Sequence, residues 1–383
     1  MASAPVPELP REAGYTANLS SPRPVVFTSR LVANIARFAD KAERHGVVLR
    51  PHAKTHKSVD IAERQIEAGA AGLTVAKPGE ARVFLEAGVK SLTVAYPLIH
   101  EPVIARLLLR ARKAGAELKL MADSRTGVRV LQGAAAEVGI TAKVFIKVDV
   151  GLHRCGLAPD DPELVELALL VSDSMDLEFA GILSHAGHAY GAGDFQGVCA
   201  VAEQEIRLMA DARERLNNAG LSVPVVSVGS TPTVAACNDF TGITEIRPGN
   251  YVFFDLTQLR LGSCGPGDPA LFVAADVVSV NKDYAIVNAG SKSLSSDAGA
   301  HGTGGDGFGL ALPLDGGEPF KVVKLSEEHG FLERGGREVQ VGQRLLIAPN
   351  HACPIPNLFD EMTAVDADGS IHSWPVSARG RVR

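Results

Sequence analysis

From about residue 25 the apolar positions follow two alternating patterns. Leu31, Ile35, Phe38 and Ala42 fall at helical spacing in LVANIARFADKAERHG, which ends at Gly46. The next run, VVLR (47–50), is short and apolar, as a buried strand requires. Seven similar runs follow: GLTV (72–75), SLTVA (91–95), ELKLMA (117–122), KVFIKVD (143–149), LEFAGILSH (177–185), PVVSVG (224–229) and ITEIR (243–247). Helical stretches such as DPELVELALLVSDS and FQGVCAVAEQEIRLMADARERLNNAG separate most of them. Eight strands alternating with helices over ~200–250 residues predict an α/β chain with a TIM-like (β/α)8 barrel, here over residues 22–260. From Leu261 the long helical patterns stop. FVAADVVSV, YAIVNAG, PFKVVKLSEEHG and RLLIAPN are β-like runs between Gly-rich turns, and predict a C-terminal, mainly β domain over 261–383. Residues 1–21, in a stretch rich in Pro, Ala and Ser, are expected to form a loosely attached arm. The Gly-rich segment 299–309 is expected to be a mobile loop.

Composition narrows the functional classes. The net charge of -6 over 383 residues comes with no basic stripe, which argues against a nucleic-acid partner. It leaves room for a small anionic ligand, because local charge decides binding. No apolar run reaches the ~18–20 residues of a membrane span. The start, MASAPVPELPREAG, lacks the basic and apolar regions of a signal peptide. The five cysteines are odd in number and form no CxxC, so a reducing, cytoplasmic setting is expected.

Barrels of this kind carry their chemistry on the loops after the strands' C-terminal ends. After the first strand comes RPHAKTHKS, with Lys54 beside Arg50, His52, His56 and Lys57. Crowded cations depress a lysine pKa and favour the free amine that imine formation needs. A solvated loop lysine is the bland alternative. The fifth loop, DVGLHRCG, offers Asp149, His153 and Arg154; the sixth, SHAGHAY, offers His185, His188 and Tyr190. The seventh, VGSTPT, brings Gly229, Ser230 and Thr231 to a helix start, where small residues and hydroxyls suit a phosphate; RPGNYVFFD follows the eighth strand.

His351-Ala-Cys353 is a second constellation. Alternate residues of an extended segment point the same way, so imidazole and thiolate can share one divalent ion. These donors suit zinc best, and two protein ligands leave positions open for substrate and water. His45, His100 and His372 read as surface or packing residues, His301 and His329 as ambiguous, and Cys155, Cys199, Cys237 and Cys264 as small apolar fillers.

With these motifs, the chain from about residue 22 onward resembles the pyridoxal-phosphate enzymes built on the alanine-racemase-type barrel. RPHAKTHKS, VSVGSTPT, EIRPGNYVFFDL and PNHACP are most similar to the D-threonine aldolase and D-serine dehydratase family, above all to its D-serine and 3-hydroxyaspartate dehydratases. The resemblance implies that Lys54 is the imine lysine, Arg154 sits next to the cofactor ring and His185 takes the place of a ring-contacting aromatic residue. It implies a phosphate cradle of Gly229, Ser230 and Thr231 with Gly249, Asn250 and Tyr251 beside it, and His351 and Cys353 as the pair holding zinc, or Mn or Mg. A homodimer, with the β domain closing the site, is also implied. Two features divide the family: many D-threonine aldolases have aspartate where this chain has Cys353, yet PIPNLFD is aldolase-like. The expected reaction is dehydration of a β-hydroxy D-amino acid to a keto acid and ammonia. The alternatives are retro-aldol cleavage to glycine and an aldehyde, racemisation, or cofactor carriage without catalysis.

Overall fold

A computed structural model describes residues 5–300, 303 and 305–383. The first strand, β1 (Arg23–Phe27), belongs to a second sheet. The eight apolar runs then form β2 (Val48–Leu49), β3 (Leu73–Val75), β4 (Ser91–Val94), β5 (Glu117–Ala122), β6 (Ala142–Lys147), β7 (Leu177–Leu183), β8 (Val226–Val228) and β9 (Glu245–Ile246). They pair in parallel in the order β2-β9-β8-β7-β6-β5-β4-β3. The ends meet: His52 bridges to Thr74, the Thr74 amide donates to the Pro51 carbonyl (2.8 Å) and the Ala71 amide to that of Leu49 (3.0 Å). The expected (β/α)8 barrel is therefore closed.

Helix Thr28–Arg44 buries Leu31, Ile35, Phe38 and Ala42, the stripe that its spacing requires. Asp161 caps helix Pro162–Ser172 by accepting from the Glu163 amide (2.9 Å), and Asp194 caps helix Phe195–Asn218 through the Gly197 amide (2.9 Å). In mid-β7, Gly181 has φ +127°, and a Cβ there would collide with the Val225 carbonyl. Only glycine lets that chain approach so closely.

The remaining strands are β10 (Leu271–Val280), β11 (Tyr284–Val287), β12 (Gly309–Pro313), β13 (Phe320–Leu325), β14 (Gly330–Glu333), β15 (Arg344–Pro349), β16 (Glu361–Val365) and β17 (Ile371–Pro375). Their order is β11-β14-β13-β12-β15-β10-β1-β16-β17, and β10 also pairs with β11, which rolls one end of the sheet into a barrel. A register shift between Val277 and Ser279 bends β10 toward β11.

The N-terminal segment departs from expectation. β1 lies inside the second sheet, antiparallel to β10 and parallel to β16. Val25, Val26 and Phe27 are fully buried, at about 1.5–3 kcal/mol each. Upstream, Arg344 donates to the Thr16 carbonyl (2.7 Å) and the Leu19 carbonyl (2.6 Å) while pairing with Asp276 (2.6 Å). Ala13 is buried against the same core. The arm is thus fastened by a cation more than 300 residues away, which its Pro- and Ser-rich composition does not reveal. The expected loop at 299–309 falls partly outside the described residues, as does His301; within the described part, the Gly305 amide donates to the Ala298 carbonyl (2.7 Å). No helix among the described residues is long and apolar enough to cross a membrane.

Arg344→Ala should release the segment before β1. We expect a loss of about 2–3 kcal/mol in denaturant unfolding, with new protease cleavage before residue 22. A variant as stable and as resistant as the parent would show that the clamp does not hold the arm.

Candidate active site

The C-terminal ends of the barrel strands open into a cavity of ≈ 520 Å³, a size ordinary for small-molecule sites. Lys54, Arg154, His185, Tyr190, Gly229, Ser230, Thr231, Gly249, Asn250, His351 and Cys353 all line it. Tyr251 does not. Its side chain is fully buried in the core, stacks on Phe38 (4.6 Å between centroids) and accepts from Gln65 (2.9 Å). Only its amide turns toward the site, donating to Thr231 Oγ1 (3.2 Å). Any part of Tyr251 in the cradle would therefore be played by its backbone amide.

Lys54 stands in a 3-10 turn, Ala53–Thr55, immediately beyond β2. The His52 ring accepts from the Lys54 amide (3.3 Å) and fixes the turn. Burial pushes the Lys54 ammonium down, and Arg154 and Arg247 add to this against the opposing pull of Cys353. The depressing cations differ from those expected. Arg50 points into the barrel and pairs with Glu245 (2.6 Å), while Lys57 is buried against Glu80 (3.3 Å) and Asn357 (2.9 Å). His56 accepts from the Ser58 amide (3.1 Å), and burial pushes its ring down to about 4.

Below the cavity a polar network sets the loops. Glu205, buried on helix Phe195–Asn218, accepts from Ser184 Oγ (2.6 Å), the Gly229 amide (3.1 Å) and Thr233 Oγ1 (3.3 Å). Gly229 has φ +108°, and a Cβ there would meet Val234 Cγ2 at 2.6 Å. Ser230 and Thr233 cap helix Thr231–Ala236 reciprocally. Thr231 Oγ1 accepts from the Gly249 and Tyr251 amides (3.2 Å each), which joins the loops after β8 and β9. Tyr190 contacts Gln258 and Thr231, and burial raises its phenol.

Three further lining residues were missed. Lys147 ends β6, and burial, with Arg247 beside it, pushes it down to about 7. Arg247 follows β9 and donates to Ser227 Oγ (2.6 Å) and the Ser184 carbonyl. Tyr96 follows β4, with the Lys77 ammonium 3.4 Å from its ring centroid. Lys147 and Arg247 could have been found, since each is a cation at the C-terminal end of its strand run, KVFIK and ITEIR. Cys155, read as a filler, also lines the cavity.

His351 and Cys353 follow β15 and reach the cavity from the β domain. Cys353 Sγ lies 3.2 Å from Thr55 Oγ1 and accepts from Asn250 Nδ2 (3.4 Å), so it touches both the lysine loop and the loop after β9. Burial opposes protonation of His351, but the Cys353 thiolate and the carboxylates of Asp255 and Asp297 outweigh it and push the ring up to about 10. The same contact lowers the Cys353 thiol against its burial. Asp255, fully buried, ties the Ala352 amide (2.9 Å) to Asn250 Nδ2 (2.6 Å). Among the described residues no group of three or more His, Cys, Asp or Glu could hold a metal. Imidazole and thiolate fit a divalent ion that keeps open positions.

A cation-lined cavity at a barrel mouth, reached by side chains from a β domain, suits a small anionic ligand. Residues 26–257 match the family model "Alanine racemase, N-terminal domain", and residues 270–365 match that of a serine dehydratase domain. The chain belongs to the D-serine dehydratase and D-threonine aldolase family on the alanine-racemase barrel. It is 38% identical over 370 residues to the D-threo-3-hydroxyaspartate dehydratase of Delftia sp. (strain HT23), covering 93% of this chain and 97% of that one. It is 30% identical over 372 residues to the D-threonine aldolase of Arthrobacter sp., covering 95% and 94%. The solved Delftia dehydratase superposes with a TM-score of 0.87 at 36% identity, over 94% of this chain and 98% of that one; a cysteine-to-alanine mutant of it is known in a metal-free form.

Glu205→Ala strips partners from three buried donors. We expect a loss of about 2–4 kcal/mol in denaturant unfolding. A change below ~0.5 kcal/mol, the size of an ordinary surface substitution, would contradict its place as the anchor of the Gly229 loop.

Proposed function

We propose that the chain is a pyridoxal-phosphate-dependent lyase that dehydrates a β-hydroxy D-amino acid to a keto acid and ammonia. The observation that carries this reading is one cavity shared by a lysine with a depressed pKa and a His-Cys pair from the other domain. The donor set fits the cofactor: Lys54, Lys147, Arg154 and Arg247 line the cavity, and cations suit a phosphate and a carboxylate.

Lys54 would hold the cofactor's carbonyl carbon, and Ser230 and Thr231, with the loop after β9, would hold its phosphate. Bound there, the cofactor supplies an electron sink for negative charge at Cα. Arg154 and His185 would orient its ring. Lys54 would be placed to take the Cα proton, and the downward push on its ammonium favours the neutral amine that this needs. His351 and Cys353 would hold a divalent ion able to polarise a β-hydroxyl as leaving group. Zinc suits a thiolate and imidazole best, with Mn or Mg as alternatives. Loss of water and hydrolysis of the resulting enamine give the keto acid and ammonia. The relative at 38% identity is named for dehydration of D-threo-3-hydroxyaspartate. A second carboxylate on the substrate agrees with the excess of cations here. The homodimer implied by the family belongs to this proposal, and sedimentation of the purified protein tests it.

Two experiments bear on it. Lys54→Ala should lose the visible absorption of bound cofactor and all turnover, while Lys57→Ala, whose ammonium is engaged by Glu80, should keep the absorption. The reverse pattern would move the imine to Lys57. The second experiment offers 3-hydroxy-D-aspartate, D-serine and D-threonine at matched concentrations. Keto acid and ammonia should dominate, and the L-enantiomers should be inert. Glycine and aldehyde from every substrate would assign the chain to the aldolases instead.

A further inference from the structure

We infer that Asp297 is the positioning residue for the ion held by His351 and Cys353. The inference rests on the metal reading above. Asp297 Oδ2 lies 2.9 Å from His351 Nδ1, and among the described residues His351 is its only ion-pair partner. Asp297 itself is outside the cavity lining and half-exposed, while His351 lines the cavity. A carboxylate accepting the Nδ1 proton leaves the lone pair on Nε2, at the far side of the ring. The ring also meets the Cys353 thiol, so Asp297 fixes the imidazole in the pose that brings both donors together. Carboxylates behind a ligating histidine orient the ring and raise its basicity.

The position of Asp297 is itself built. Its amide donates to Ser295 Oγ (3.1 Å), and Ser295 sits at φ +67°, where a side chain is disfavoured. The next carbonyl, Ala298, accepts from Asn350 Nδ2 (2.9 Å) and from the Gly305 amide (2.7 Å). Asn350 Nδ2 also reaches the Gly307 carbonyl (2.8 Å). Asn350 immediately precedes His351, and its own carbonyl is held by Thr257 Oγ1 (2.7 Å). The Asn350-His351 dipeptide therefore fastens the segment that carries Asp297, and Asp297 in return fastens His351.

The test titrates cofactor-loaded, metal-stripped protein with Zn2+ and, separately, Mn2+ by calorimetry, for the parent chain, Asp297→Ala and Asp297→Asn. Asp297→Ala should bind Zn2+ about 10–100-fold more weakly. Asp297→Asn, which keeps an acceptor oxygen without the charge, should fall between. Cofactor absorbance and the melting temperature of the metal-free protein should stay at the parent's values in both. Unchanged affinity in Asp297→Ala overturns the inference. So does a parallel loss of cofactor absorbance and melting temperature, which would assign Asp297 to holding the loop alone. A parent chain that binds neither ion overturns the metal reading, and the inference with it.

Discussion

The site depends on a buried chain of charge that runs across the barrel. Arg50, beyond β2, pairs with Glu245 on β9; Glu245 accepts from Ser227 on β8; and Ser227 accepts from Arg247. The Arg50 and Glu245 side chains are 4% and 3% exposed, so neither charge has water to fall back on. Leaving one partner of such a pair unmatched costs about 3–5 kcal/mol. β2 and β9 are two residues each and have little ladder of their own. The ion pair supplies the register that those backbones lack. The loops they feed, with Lys54 after one and Gly249-Asn250 after the other, take their positions from it.

At the cavity the same economy leaves positive charge uncompensated. Glu205, on helix Phe195–Asn218, and Glu245, on β9, meet hydroxyls, an amide and a guanidinium, while Lys54, Lys147 and Arg154 line the opening. An anionic ligand therefore completes the electrostatics as well as the chemistry, and the folded state should be more stable with it than without it. The two domains meet at the cavity: Thr55, next to Lys54, touches Cys353, and Asn250 touches it from the other side. A displacement of the β domain would shift the thiol and the lysine turn relative to each other.

Much of this was legible in the chain. All eight barrel strands coincide with short apolar runs, because a parallel sheet buried on both faces demands them. The barrel-mouth rule then led to Lys54, Arg154 and the Gly229 loop. It does not give side-chain direction: Tyr251 is adjacent to Asn250, and it turns its ring into the core and its amide toward Thr231. Long-range polar partners were equally hidden. Glu205 is one acid among several in AEQEIRLMADARE, and Asp297 lies in a stretch that reads as a turn. Their roles come from what the fold sets opposite them, Gly229 and His351, and no local pattern encodes that. The cations around Lys54 show the same limit, since its neighbours in sequence find other partners and residues from β6 and β9 take their place.

β1 sits between β10 and β16, so the second sheet takes an interior strand from residues that precede the whole barrel. A ribosome would release this strand before its two neighbours, β10 only after the barrel strands and β16 some eighty residues later still. Until residues 361–365 emerge, Val25, Val26 and Phe27 have only part of their final sheet, and the apolar segment must wait in solution or under a chaperone while the barrel assembles. Barrel and sheet are thus sewn together by topology rather than strung in series. Cutting the chain near residue 260 would yield a barrel that carries an orphan strand, and a β fragment with a gap between β10 and β16. A circular permutant that moves the opening strand to the other terminus would place all of the sheet's strands on one continuous stretch, and would change the order of assembly without altering the site.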